Sequence, residues 1–220
     1  MQVVGRRDER VEAEEMGGAM LSEDIIRAVD QESPIVDNVY EDEEISGLQG
    51  RRAEFDTVRF DGCRFEACDF TGASFCNVIF EACDFSNCSF QDSYWKSARV
   101  TDSKADGSIF TNSTFKWTKI ENCHFHYANF SRACWEFGEI INCSFRESFM
   151  SEVKLKKTVF TRTDLTGTDF FRTSLKGLDL SDCTIEGIMV SDQYTELAGV
   201  KVSLFQAAEL AKLMGIKIVQ

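Results

Sequence analysis

His124 and His126 are the only histidines, and with Cys123 and Phe125 they spell C-H-F-H. Imidazole and thiolate are transition-metal ligands, and a zinc site needs three or four of them converging on one point. In an extended stretch alternate residues point to opposite sides. Cys123 and Phe125 therefore share one side and the two histidines the other, which leaves the imidazoles without the thiolate. Nine cysteines invite the same question. Seven of them, Cys63, Cys68, Cys83, Cys88, Cys123, Cys143 and Cys183, fall at one recurring position, and only Cys76 and Cys134 fall outside it. A column of thiols at fixed spacing does not converge on an ion, so buried free thiols are expected and no metal or cofactor. There is no glycine-rich phosphate loop, nucleophile motif or His–carboxylate pairing. The chain is read as not an enzyme.

The element that positions these residues is a ruler of five. From Phe55 to Val190, every fifth residue is apolar: 28 positions, 15 of them Phe and 2 Trp. Two residues before each centre runs a second series, Ala53, Val58, Cys63 and onward to Ile188, in which 23 of 28 are Ala, Cys, Ser, Thr or Gly. A helix repeats apolar residues near 3.6 and a strand near 2, so a strict five indicates a solenoid. One large and one small residue per unit point inward, because two large ones would overfill a narrow interior. Two after each centre stands Gly, Asn or Asp in 15 of 28 units, which marks a corner where positive φ is tolerated. Four sides of five residues make a square coil of twenty, and seven such coils span roughly 30 Å at strand spacing. A regular rod of this kind lacks a concave pocket for a substrate.

Charge is unevenly placed. Of the net −13, residues 1–50 carry −10 (4 Arg, no Lys, 14 acidic), leaving −3 for the rest. No basic face announces direct nucleic-acid binding. No stretch is long and apolar enough for a membrane span, and the charged start does not read as a signal peptide. Thiols used as core filler suit a reducing, cytoplasmic compartment.

The expected organisation has three parts. Residues 1–50 form an acidic leader, disordered over 1–22, with a short helix at 22–31 capped by Ser22 and a solvated linker at 41–44. Residues 51–192 form the coils. Residues 193–220 form a cap with a helix of about eleven residues after Ser203, closed by Gly215, and a short strand at 216–219. The stripe Leu204, Ala207, Ala208, Leu210, Ala211 and Met214 is expected to cover the last coil, leaving Phe205 and Leu213 on a second edge.

The five-residue pattern resembles the pentapeptide-repeat family, which implies an all-β solenoid, a right-handed quadrilateral β-helix. The tail, "AGVKV…QA…L…MGIKIV", looks like the C-terminus of the Qnr and Mfp quinolone-resistance proteins, through Gly199, Val200, Lys201, Gln206, Ala207, Leu210, Gly215 and Ile216. That resemblance implies a homodimer joined tail to tail, with Phe205, Leu210, Leu213, Met214 and Ile216 as its contacts. It also implies a protein partner, DNA gyrase or topoisomerase IV, engaged partly by DNA mimicry and shielded from quinolones. The run 53–192 has no room for the loops that interrupt the coils of several Qnr members.

Two outward columns compete as the partner surface. Asp61, Glu81 and Glu121, with Asp102 beside them, supply phosphate-like charge. Trp117 and Phe137 stack at the corner between the first and second faces, near the basic column Lys96, Lys116, Lys156 and Lys176, and suit a scaffold for a different protein partner.

Overall fold

The computed structural model describes residues 9–219, with side chains from Met20 onward. Residues 1–8 of the expected disordered leader lie outside the described residues. The chain from Ile35 to Val190 winds as a β-solenoid of four faces, each five residues on from the last. Every strand pairs in parallel with a segment twenty residues away, as in Phe55↔Phe75 and Phe60↔Phe80, and the bridge Asp69↔Ser89 keeps the same step. The first two faces each form a seven-stranded sheet, and the other two are held mainly by isolated bridges. The corners from Thr57 to Gly177 take positive φ whatever their residue, from 46° at Arg162 to 83° at Gly177.

The centres stack into ladders inside the rod. On the first face Phe55, Phe75 and Trp95 follow one another at 5.1 and 4.2 Å between ring centroids, and Phe115 and Trp135 stack at 4.1 Å. Fully burying each such ring is worth about 1.5–3 kcal/mol, so the stabilisation is spread along the rod. The small positions do more than leave room. The Ser108 hydroxyl donates to Phe85 O at 2.6 Å and Thr168 to Phe145 O at 2.8 Å. Inward thiols do the same more weakly, Cys83 Sγ lying 3.5 Å from Phe60 O. A short donor there bonds to a carbonyl of the preceding coil, which accounts for the Ser, Thr and Cys content of the series.

The N-terminal boundary differs from the expected one. The solenoid begins one coil earlier, with β1 (Ile35–Val36), β2 (Val39–Glu41) and β3 (Glu44–Ser46) pairing in register with Phe55, Phe60 and Phe65. Residues 41–44 are thus coil rather than linker. This coil escapes the sequence pattern because Asn38, Glu43 and Leu48 occupy its small positions and Gly50 its fourth centre. Helix α1 (Glu9–Asp30) covers it, burying Leu21, Ile25 and Ala28 at helical spacing. The helix therefore starts well before the expected Ser22 cap and runs through Gly17 and Gly18. Gly50 makes the close approach feasible: a Cβ there would meet the Phe70 ring at 2.7 Å and Ile25 at 3.3 Å.

The C-terminal end matches the expected helix and differs beyond it. Helix α2 (Leu204–Leu213) is capped by Ser203, whose hydroxyl accepts from Gln206 N while the Gln206 side chain accepts from Ser203 N. Gln206 also donates to Leu180 O and Cys183 O at 2.8 and 2.6 Å, which ties the helix to the last coil. Leu210 is its buried residue, whereas Leu204, Ala207 and Met214 of the expected covering stripe face outward. Residues 216–219 form no strand, since no neighbouring strand edge pairs with them. Among the described residues no helix is long and apolar enough to cross a membrane.

Candidate interaction surfaces

The acidic column lies on the second face, as its spacing requires, and is longer than the sequence suggests. Glu41 pairs in register with Asp61, Asp61 with Glu81, and Thr101 with Glu81 and Glu121. Glu41 and its neighbour Asp42 belong to the first coil, which the five-residue pattern does not reveal. The column is partly neutralised. Arg59 spans Asp61 and Glu81 at 3.1 and 2.7 Å, and Lys119 holds Glu121 at 2.8 Å. The hydrogen bond and charge of Lys119 keep the Glu121 carboxyl below its ordinary range. Asp102, at the adjoining corner, accepts from Asn122 at 3.0 Å.

Trp117 and Phe137 stack at the expected corner, centroids 5.6 Å apart and planes within 10°. They are 53% and 42% exposed. The Lys157 ammonium sits over Phe137, 4.8 Å from its centroid, as the next residue of the same column. Of the basic column beside them, Lys116 and Lys156 both close on Glu136, at 3.4 and 2.6 Å, so its charge is less free than the sequence implies.

The histidines stand side by side on the outside, ring centroids 5.4 Å apart. His126 Nε2 shares a 2.8 Å hydrogen bond with the Ser144 hydroxyl. Cys123 turns inward, its thiol 3.1 Å from Glu121 O. Among the described residues no group of three or more ligand-type side chains could hold a metal ion. All nine cysteines are free, seven buried and Cys76 and Cys134 half-buried.

At the C-terminal end Phe205 is 84% exposed, and Leu213, Met214 and Ile216 are exposed with it. Leu210 does not belong with them: it is 9% exposed, spent on anchoring α2 to the rod. Its place in the helix period could not tell a rod contact from a partner contact, because both edges of α2 are apolar.

The family model described as "Pentapeptide repeats" matches residues 53–93 and 150–187, in eight copies. The intervening coils keep the same geometry in the structure. The chain thus carries pentapeptide repeats within its solenoid. No curated protein matches the chain significantly. Among solved structures, a trypsin-treated variant of QnrB1, a plasmid-mediated fluoroquinolone resistance protein, is 22% identical with a TM-score of 0.54, over 85% of this chain and 99% of that one. Full-length QnrB1 is 19% identical with a TM-score of 0.42, over 84% and 100%. HetL, a pentapeptide-repeat protein involved in heterocyst differentiation regulation in the cyanobacterium Nostoc, is 11% identical with a TM-score of 0.42, over 80% and 92%. At such identities the likeness is one of fold, and function has to come from the surface of this pentapeptide-repeat rod.

Proposed function

We propose that this chain is a non-enzymatic interaction protein of the Qnr kind. It acts in the cytoplasm on a type II DNA topoisomerase, gyrase or topoisomerase IV, competing with DNA or relieving quinolone poisoning. The observation that carries this reading is the acidic column. On the second face between residues 39 and 122, Glu41, Asp42, Asp61, Glu81, Asp102 and Glu121 stand against three cations, Arg59, Arg99 and Lys119. Strand spacing sets these carboxylates about 4.8 Å apart along a rod. The excess of negative charge gives a surface that a DNA-binding groove would attract. The tail resemblance and the fold shared with QnrB1 support the same reading.

In this proposal two rods join through their C-terminal ends. Phe205, Leu213, Met214 and Ile216 make the contact and Leu210 holds α2 in place. Sedimentation should give a dimer at micromolar concentration and a monomer after removal of 203–220. A monomeric full-length chain would refute the assembly.

The functional test is a supercoiling assay with gyrase from the host organism and ciprofloxacin, adding purified protein across a concentration series. Rescue or inhibition is expected. Reversing Asp61, Glu81 and Glu121 to Lys should abolish it, while Trp117→Ala should not. If the protein neither rescues nor inhibits, the topoisomerase reading fails.

A further inference from the structure

Trp117 and Phe137 occupy a corner where the backbone is left-handed, φ 51° and 58°. A bulky side chain is an outlier in that region, which favours Gly and Asn. The same column elsewhere carries Asp37, Thr57, Asn77, Ser97, Lys157 and Gly177, so the fold makes no demand for aromatics here. Nor are the rings spent on burial, since about half of each remains exposed. Two exposed aromatics stacked where the column otherwise carries small or polar residues point to a use outside the fold.

The stack has two different ends. Phe137 is closed off by the Lys157 ammonium. Beyond Trp117 along the column comes Ser97, a small residue, and no ring or cation among the described residues covers that face of the indole. The two residues flanking Ser97 on the outside are Lys96 and Arg99, both exposed, and no ion pair among the described residues involves either. An open indole face above a small hydroxyl residue, with Lys96 on one side and Arg99, whose charge also acts on Glu121, on the other, fits one more planar ring that carries negative charge close by.

We propose that Ser97, Trp117 and Phe137, with Lys96 and Arg99, form a docking site for an aromatic side chain presented by an acidic segment of a partner protein. The cationic patch is short and adjoins the acidic column on the second face. It complements one or two carboxylates, while a phosphodiester strand long enough to bind would run into Glu81 and Glu121. The site shares Arg99 with the acidic column but does not rest on the topoisomerase reading, and Trp117→Asn tests it separately.

The test uses the full chain and an unlabelled peptide, Gly-Asp-Phe-Asp-Gly, followed by isothermal titration calorimetry. Trp117→Asn installs the residue that Asn77 already supplies in the same column. It should weaken binding by about tenfold, a stacking-sized effect, with the melting temperature unchanged or raised. Lys96→Glu with Arg99→Glu should weaken it as much, and a peptide with alanine for phenylalanine should bind no better than the variants. Peptide binding that Trp117→Asn leaves intact would overturn the proposal, as would no peptide binding to the unaltered chain. Two further outcomes would also overturn it: Trp117-dependent binding of oligothymidylate in place of the peptide, or a fall of the melting temperature in Trp117→Asn, which would make the rings part of the fold.

Discussion

The two ends of the rod solve one problem in opposite ways. An end coil must be covered, because its inner side chains and half its backbone groups lose the partners that a further coil would supply. At the N-terminal end α1 lays Leu21, Ile25 and Ala28 over the opening, and Gly50 gives up its side chain to let the helix in. Beside this apolar cover, Tyr40 donates to Asp24 at 2.8 Å, but Glu43 is buried beneath it with Oε2 unpartnered. Burial pushes the Glu43 carboxyl above its ordinary range; the Leu21 N–H offsets part of this and nearby Asp24 adds to it. At the C-terminal end the closing group is itself a carboxylate. Glu196 accepts from Arg172 N at 2.8 Å, Ser191 N at 3.3 Å and the Ser191 hydroxyl at 2.8 Å. Burial raises Glu196 too, yet these donors, with its own N–H, outweigh burial and hold it below the ordinary range. A buried carboxylate is thus a cost at one end and a clasp at the other, according to how many donors meet it.

The middle of the rod sets the scale against which either end is judged. Phe125→Ala should cost about 3–5 kcal/mol in chemical denaturation. Phe171→Ala, one residue past its centre and lying outside under Arg172, should cost far less. Equal losses would contradict the register.

Next comes the clasp. Glu196→Ala strands the Arg172 and Ser191 donors and should cost about 2–3 kcal/mol, with early hydrogen exchange over 170–190. The pKa of Glu196 is depressed, so its contribution is present above the ordinary carboxylate range and lost as pH falls through its lowered value. Unaltered protein and variant should therefore converge in acid. A gap that persists at low pH would mean that the side chain acts by packing.

The opposite sign is expected at the other end. Glu43→Gln should stabilise the chain at neutral pH by about 1 kcal/mol and slow exchange in 35–50. Because the folded pKa is raised, the penalty is absent below the ordinary carboxylate range and grows as pH rises through the raised value. The two proteins should again converge in acid, here with the variant as the more stable one above. Destabilisation at neutral pH would show that the Glu43 carboxylate is a clasp as well.

The smallest effect is kinetic. The inward thiols should alkylate slowly, and burial, which pushes Cys183 up to about 12, slows it further. Cys76 and Cys134 should label first by intact mass. Among the slow ones, Cys63 and Cys68 beneath the α1 end should precede Cys123, and Glu196→Ala should speed Cys183 alone. Seven or more fast thiols would contradict the inward assignment.

The same ends mark where the sequence stops being readable. Between 53 and 190 the inner wall is fixed by neighbouring coils above and below, so each position repeats a type. The first coil answers to α1 instead. The pattern therefore breaks although the backbone does not, and Glu41 and Asp42 were lost from the acidic column with it. Trp117 and Phe137 were legible, because an outward position two after a centre is defined by the count alone. The role of Leu210 was not, since a helix with two apolar edges does not declare which one meets its own rod.

The register has a consequence for insertions and deletions. Each five residues turn the chain onto the next face, so twenty residues removed from the middle, such as 96–115, would delete one storey and leave every face facing as before. Five residues removed would rotate all that follows by a quarter turn. A five-residue excision between Glu81 and Trp117 would carry the aromatic corner, and Glu121 with it, round to a different side of the rod from Glu41, Asp61 and Glu81, with the inner ladders still meeting. The relative bearing of the two surfaces is thus an adjustable angle, set in steps of ninety degrees by chain length alone.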